Sequence, residues 1–200
     1  MVDFDKIWVE KYRPATLDDI ILDERTLKQV EEFKDEIPNL LFVGNPGTGK
    51  TTLARIIVND VLGCNYLYIN ASDESGIDTI RHNITNFAQT KSFDGKVKVI
   101  ILDEADGLTT QAQAALRNTM ETYAKYCRFI LTANYKHKII PAVQSRCQSL
   151  DIKPVVQLAV KRCYSILKDE KIIVSEEQKK KFVHLVKRHF PDLRKTINEL

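Results

Sequence analysis

Along the chain, short apolar runs alternate with longer stretches in which apolar residues recur every three or four positions. The runs at 40–43, 66–70, 97–102, 129–132 and 150–152 are short and bounded by turn residues, and they read as five strands, most of them buried on both faces. Between them lies helical spacing. A helix over 24–33 carries Leu27, Val30 and Phe33 on one side, and Pro38 ends that segment. A second helix, beginning at the glycine-rich stretch 44–51, stops near Leu62 and Gly63; a third over 77–89 carries Ile77, Ile80, Ile84 and Phe87, with a turn at Asp94 and Gly95; a fourth covers 110–123. Strands alternating with helices predict a parallel five-stranded sheet covered on both faces, a three-layer α/β sandwich. At Pro154 the pattern becomes purely helical, with helices over 155–168, over 176–189 capped by Ser175, and over 192–200 after Pro191. The domains predicted are 1–153, α/β, and 154–200, a small helical domain. Ahead of both, Pro14 fixes a turn, and Thr16 with Asp19 reads as a helix start or a capped turn.

Composition narrows the class. A chain of 200 residues can bury roughly 70% of the surface it exposes when unfolded, so it needs no disulfide framework. Cys64, Cys127, Cys147 and Cys163 have no paired spacing, and His82, His137, His184 and His189 form no HExxH, so reduced structural thiols are expected and no zinc site is indicated. Asp3, Asp5 and Lys6 break up any N-terminal apolar run, and the expectation is a soluble intracellular protein. Net charge is +3, but 151–200 holds 12 Lys+Arg against 7 Asp+Glu, so the basic excess is C-terminal. Its densest run, Lys179 to Lys181, lies beside Glu176 and Glu177 and reads as a solvated helix face.

Candidate chemistry begins at GNPGTGKT, Gly44 to Thr51. Glycines at 44, 47 and 49 let successive N–H groups turn inward to cradle a polyphosphate, and the following helix adds the positive end of its dipole. Lys50 would reach the β- and γ-phosphates, and the Thr51 hydroxyl would ligate Mg²⁺. The bare pattern also suits an ordinary glycine-rich turn; the strand before it and the helix after it favour the phosphate loop. The strand at 97–102 runs straight into Asp103 and Glu104, placing two carboxylates at the edge where open α/β sheets bind ligands. Asp103 would hold the metal, directly or through water, and Glu104 would polarise an attacking water.

The set WVEKYRP, GNPGTGKT, NASDESGID, ILDEADGLT, QAALRNTME, LTANY, QSRC and PDLRKTINEL resembles the sliding-clamp loader small subunits of the AAA+ ATPases. Replication factor C small subunits are similar, as is the tailed-phage version at the C-terminal end. The match runs over 8–200, and WVEKYRP with QSRC is its specific part. The resemblance implies an AAA+ sandwich followed by a helical lid, with ATP and Mg²⁺ as ligands. It implies an adenine pocket lined by Tyr12, Arg13, Pro14, Ile20 and Ile21, residues that equally suit packing of the N-terminal segment on the core. Nucleotide contacts would come from Gly44, Asn45, Pro46, Gly47, Thr48, Gly49, Lys50, Thr51 and Thr52, with Leu193 and Arg194 of the lid. Asn134 matches the sensor that orients the attacking water, and Arg194 the lid arginine that reaches the phosphates. Arg146 matches an arginine finger offered to ATP in a neighbouring subunit, worth roughly 10³ to 10⁵ in turnover in P-loop enzymes.

The family winds five subunits into a spiral that opens a ring-shaped sliding clamp on primer-template DNA and releases it on hydrolysis. Positions matching its DNA-tracking helix starts are Ser72, Gly76 and Ile77, and Thr109, Thr110 and Gln111; for Ser72 and Thr110 plain helix capping is the equal alternative. Two departures stand out. Ser75 occupies a place where relatives carry a basic residue tied to DNA contact, and the family's helical collar would lie beyond Leu200. Clamp loading by this polypeptide alone is therefore not expected: either it is a piece of a longer chain, or assembly rests on something outside it. Two other readings are carried: a different AAA+ machine such as a branch-migration helicase, and a nucleotide-dependent scaffold without hydrolysis.

Overall fold

The structure, a computed structural model, describes residues 7–73, 76–90 and 95–200, and only the backbone at 79–81. Asp3, Asp5, Lys6, Ser75, Asp94 and the side chain of Ile80 lie outside the described part. The elements are α1 (Trp8–Lys11), α2 (Glu24–Glu32), β1 (Leu40–Val43), α3 (Lys50–Ile56), β2 (Tyr66–Asn70), α4 (Ile77–Thr79), α5 (Thr85–Gln89), β3 (Lys98–Asp103), α6 (Thr110–Thr122), β4 (Cys127–Ala133), α7 (Pro141–Gln144), β5 (Gln148–Asp151), α8 (Val156–Asp169), α9 (Glu176–His189) and α10 (Leu193–Asn198). One wide helical turn, Ile57–Val61, extends α3, and another, Ile80–Ile84, joins α4 to α5.

The five strands form one parallel sheet in the order β2-β3-β4-β1-β5. Period-two alternation sends neighbouring residues to opposite faces, and the two cores show it. Leu40, Phe42, Val99, Ile101 and Ile130 pack with Leu53, Ile56 and Ile57 on one side, while Leu41, Ile100, Leu102, Phe129 and Leu131 pack with Ala112, Leu116 and Met120 on the other. A third cluster, Ala159, Cys163 and Val186, holds the C-terminal helices together and includes Ile21 from the N-terminal segment. Among the described residues no helix is long and apolar enough to cross a membrane.

Several boundaries differ from the pattern-based ones. β5 runs over Gln148–Asp151 instead of 150–152, because backbone pairing of Leu40 with Gln148 through Val43 with Asp151 sets it, and its exposed polar residues hide an edge strand. β4 begins two residues earlier, at Cys127, which is fully buried. α1 is a single turn, too short for periodicity to reveal. Thr16 precedes a short 3-10 turn, Leu17–Asp19, and makes no side-chain cap; its hydroxyl donates to Asp19 Oδ2 at 3.2 Å.

Candidate nucleotide site

β1 ends at Val43 and α3 starts at Lys50, so the loop between them lies at the carboxyl end of the sheet. Gly49 caps α3 with φ 93°, a conformation a side chain would strain. Thr48 is buried and donates through Oγ1 to Asn45 O at 2.9 Å, which closes the loop. The Lys50 ammonium donates to Gly44 O at 2.9 Å, Asn45 O at 2.8 Å and Asn134 Oδ1 at 2.8 Å. Burial lowers its pKa from the usual lysine range, against the fields of Asp103, Asp106 and Glu104. One contact thus joins the phosphate loop to the end of β4.

Asp103, at the end of β3, is 7% exposed and fully engaged. Its Oδ1 accepts from Thr51 Oγ1 at 2.7 Å and from Thr132 Oγ1 at 2.6 Å, and its Oδ2 accepts from Tyr68 Oη at 2.8 Å. Burial and the bond to Asp103 push the Tyr68 hydroxyl up to about 12. Glu104 follows in a left-handed conformation, φ 53°, that costs about 1 kcal/mol for a residue with a side chain. Its N–H donates to Thr132 Oγ1 at 2.9 Å, and its Oε2 accepts a hydrogen bond from Ser72 Oγ. Asn134 is set by Asp106, whose Oδ2 accepts from the N–H groups of Asn134 at 3.3 Å and Tyr135 at 3.2 Å.

The helical region closes over this loop. Leu193 N–H donates to Gly47 O at 3.0 Å, and the first turn of α10 thereby brings Arg194 to the cavity. Tyr12, Arg13, Pro14, Ile20 and Ile21 line the same cavity with Pro46 to Thr52, Glu104, Asn134, Leu193 and Arg194. Tyr12 also donates to Glu170 Oε1 at 2.7 Å, joining α1 to the end of α8. Arg13 hydrogen-bonds Glu10 and holds its carboxyl below the usual range, helped by Arg194 and Arg55. Gly44 and Asn45 meet the site through the Lys50 ammonium, and Asp103 through Thr51.

Arg146 lies outside the cavity. It follows α7 and donates from Nε to Glu121 Oε1 at 2.9 Å, from Nη2 to the same oxygen, and from Nη1 to Ala142 O at 2.6 Å. The segment bearing it is tied to α6 by buried Gln113, which donates to Leu108 O and Lys138 O and accepts from Ile140 N–H at 2.8 Å. Of the helix-start residues, Gly76 precedes α4 and Ile77 begins it, and Ile77 and Gln111 line one groove with Ala114 and Asn118. The N-cap of α6 is Thr109, not Thr110: Thr109 has the extended backbone of a cap, and its Oγ1 accepts from Ala112 N–H at 3.1 Å. Ser72 precedes α4 by a turn, with its hydroxyl on Glu104.

Sequence reasoning missed Tyr68, Thr132, Asp106, Arg162 and Glu121. Arg162 enters the cavity from α8 and bonds Asp19 Oδ1 at 3.3 Å; a polar residue among the apolar positions of β4 was the visible signal for Thr132. The donor set at the loop, the Thr51 hydroxyl and the Asp103 carboxylate, is all oxygen and fits a hard cation such as Mg²⁺.

Residues 40–154 match the model of the ATPase family associated with various cellular activities (AAA), and residues 151–200 match that of the sliding-clamp-loader large subunit AAA+ ATPase lid domain. The replication factor C small subunit of Archaeoglobus fulgidus is 44% identical over 98% of this chain and 63% of its own length. Replication factor C subunit 3 of Saccharomyces cerevisiae is 42% identical over 96% of this chain and 58% of its own. The chain thus spans about three-fifths of the curated relatives it matches. The fold is also that of Thermotoga maritima RuvB, with a TM-score of 0.74 at 20% identity over 94% of this chain and 63% of that one. The chain belongs to the AAA family of ATPases, as a relative of the replication factor C small subunits over nearly its whole length.

Proposed function

We propose that this chain is the ATPase motor portion of a DNA sliding-clamp loader, with an α/β nucleotide domain over 1–153 and a lid over 154–200. The observation that carries the reading is that an AAA match and a clamp-loader lid match meet on one cavity, where Lys50, Glu104 and Asn134 face Arg194. ATP would lie with its phosphates in the loop and its base against Tyr12, Pro14, Ile20 and Ile21. Lys50 exchanges its bonds to Gly44 O, Asn45 O and Asn134 Oδ1 for β- and γ-phosphate oxygens. Thr51 and Asp103 would hold Mg²⁺, which supplies charge neutralisation between the phosphates when bound. Asn134, freed of the ammonium, orients the attacking water, and Glu104 polarises it once its bond to Ser72 is broken. Arg194 reaches the phosphates from the lid.

Arg146, bonded to Glu121 away from the cavity, would serve a neighbouring subunit, so hydrolysis depends on assembly. The partners are other loader subunits, the sliding clamp and primer-template DNA, inside the cell. Helix starts at Gly76 and Ile77 and at Thr109, Thr110 and Gln111, together with Ser72, would meet the DNA backbone. Likeness to RuvB carries the fold alone, and 44% identity to a replication factor C small subunit favours the loader over a branch-migration motor. The test is ATP hydrolysis per chain across a protein-concentration series, with and without primer-template DNA. A rate that climbs with concentration, and falls when Arg146→Ala chains are mixed in, supports shared sites; Glu104→Gln retaining both ATP binding and full hydrolysis would sink the catalytic assignment.

A further inference from the structure

The carboxylate at the end of β3 is held by three hydroxyls from three elements, and two of them lie outside the phosphate-loop signature. Thr51 comes from α3, Thr132 from β4 and Tyr68 from β2. We propose that Tyr68 is a positioning residue for the metal site, its hydroxyl fixing the rotation of the Asp103 carboxylate so that Oδ1 faces Thr51. The proposal rests on the reading of Thr51 and Asp103 as metal ligands.

The placement follows from the fold. Asn70 pairs with Asp103 across β2 and β3, so Tyr68 stands two residues before Asp103's partner, on the face of the sheet that packs against α3. Thr51 and Arg55 sit four residues apart on α3, one above the other on the same helix face. Thr51 touches Asp103, Arg55 lies 4.8 Å over the Tyr68 ring, and Tyr68 closes the circuit to Asp103 Oδ2 at 2.8 Å.

The three donors are not equivalent. Thr51 must offer a lone pair to a metal, so its own orientation is coupled to occupancy. Thr132 also receives the Glu104 N–H and joins the two carboxylate residues. Tyr68 is a rigid ring clamped under a guanidinium, and it alone among the described hydrogen bonds engages Oδ2. Removing its hydroxyl leaves a buried carboxylate oxygen without that donor and frees the group to turn.

The experiment measures the factor by which Mn²⁺ tightens binding of a fluorescent ADP analogue to the full chain, relative to binding in EDTA. Tyr68→Phe should reduce that factor about tenfold, the lower range for loss of a group that orients a metal ligand. Affinity in EDTA should stay at the wild-type value, and the thermal melting temperature should fall only by the few degrees that loss of one buried hydrogen bond costs. Arg55→Met, which unclamps the ring, should reduce the factor less. Asp103→Asn is the control. If Asp103→Asn abolishes the Mn²⁺ effect while Tyr68→Phe retains it in full, the positioning role is overturned and the metal site stands. If Asp103→Asn leaves the Mn²⁺ effect untouched, the metal reading fails and takes this proposal with it.

Discussion

Gly47 is where the lid meets the phosphate loop, and replacing it with alanine tests that contact quantitatively. Its φ is 75°, and a Cβ built there would come within 1.9 Å of Asp192 Oδ1 and 2.5 Å of Asp192 Cγ. The left-handed backbone alone costs a residue with a side chain about 1.5 kcal/mol. The clash drives the Asp192 side chain aside and breaks its N-cap bond to Lys195 N–H, 2.9 Å long, for about 1 kcal/mol more. Restricting the unfolded chain returns about 0.5 kcal/mol, so Gly47→Ala should cost about 2 kcal/mol. Asp192→Ala loses only the cap, about 1 kcal/mol. In the double mutant the cap is lost once, so its cost is again about 2 kcal/mol and not 3, a coupling of about 1 kcal/mol. Urea unfolding of the four chains measures the cycle. A double mutant whose cost equals the two single costs added, to within about 0.5 kcal/mol, would refute the contact.

Lys98 is buried at the start of β3 with its ammonium on the carbonyls of Phe87, Ala88 and Thr90, capping the end of α5; Lys98→Met strands those acceptors and should cost about 2 kcal/mol in urea unfolding. The Arg146–Glu121 pair is partly exposed, with side chains 33% and 52% accessible, so Glu121→Gln should change stability by less than about 1 kcal/mol; a larger loss would give Glu121 a structural role. Ser72→Ala removes the hydroxyl that engages Glu104 and should raise basal hydrolysis a few-fold while nucleotide affinity stays constant; an unchanged rate would mean that this bond does not restrain Glu104. Burial pushes the thiols of Cys147 and Cys163 up to about 12 and about 11. Their folded values exceed the unfolded one, so the stability they contribute is complete below about pH 8.5 and is lost as pH rises toward 11 to 12. Native chains should resist iodoacetamide at both positions at pH 8, whereas urea-unfolded chains should react.

The sheet was legible where its strands are apolar runs: 40–43, an interior strand, and 66–70, at the sheet edge opposite β5, were read at their observed bounds, and β3 gained only Asp103 and lost Val97. Lys98 is buried in that strand as well, which polarity alone would not suggest. Edge strand β5 was misplaced because three of its four residues are exposed and polar. The capping box of α9 was readable from Ser175, with Gln178 three residues on, because its partners are local in sequence. The remainder depends on contacts remote in sequence. Tyr68 and Asp103 are 35 residues apart, Arg146 and Glu121 25 apart, and nothing in either local pattern marks the pairing. Ser72 shows the same limit: as a turn residue it suits a cap or a phosphate contact, but its position beside Glu104 comes from the parallel pairing of β2 with β3.

The cavity joins two packed bodies, and the chain is threaded so that whatever fills it acts on both. Ile20 is buried in the cluster under the sheet and Ile21, its neighbour, in the cluster of the C-terminal helices, while both line the cavity. At the other wall, Leu193 packs with the helical cluster and its N–H bonds the phosphate loop. Cores as dense as these do not deform continuously, so a change in what occupies the cavity is accommodated where the bodies touch. Among the described contacts that can yield are the Leu193–Gly47 bond, the Arg162–Asp19 pair at 3.3 Å, and the Tyr12 and Lys11 bonds to Glu170 that tie α1 to α8. Arg162 and Tyr12 hold exposed or partly buried partners and are cheap to exchange, whereas the Leu193 bond ends on the loop itself. On the proposed function, nucleotide phosphates arriving beside Gly47 would meet the lid through this backbone bond first and through Arg194 second, so ATP should change the angle between sheet and lid.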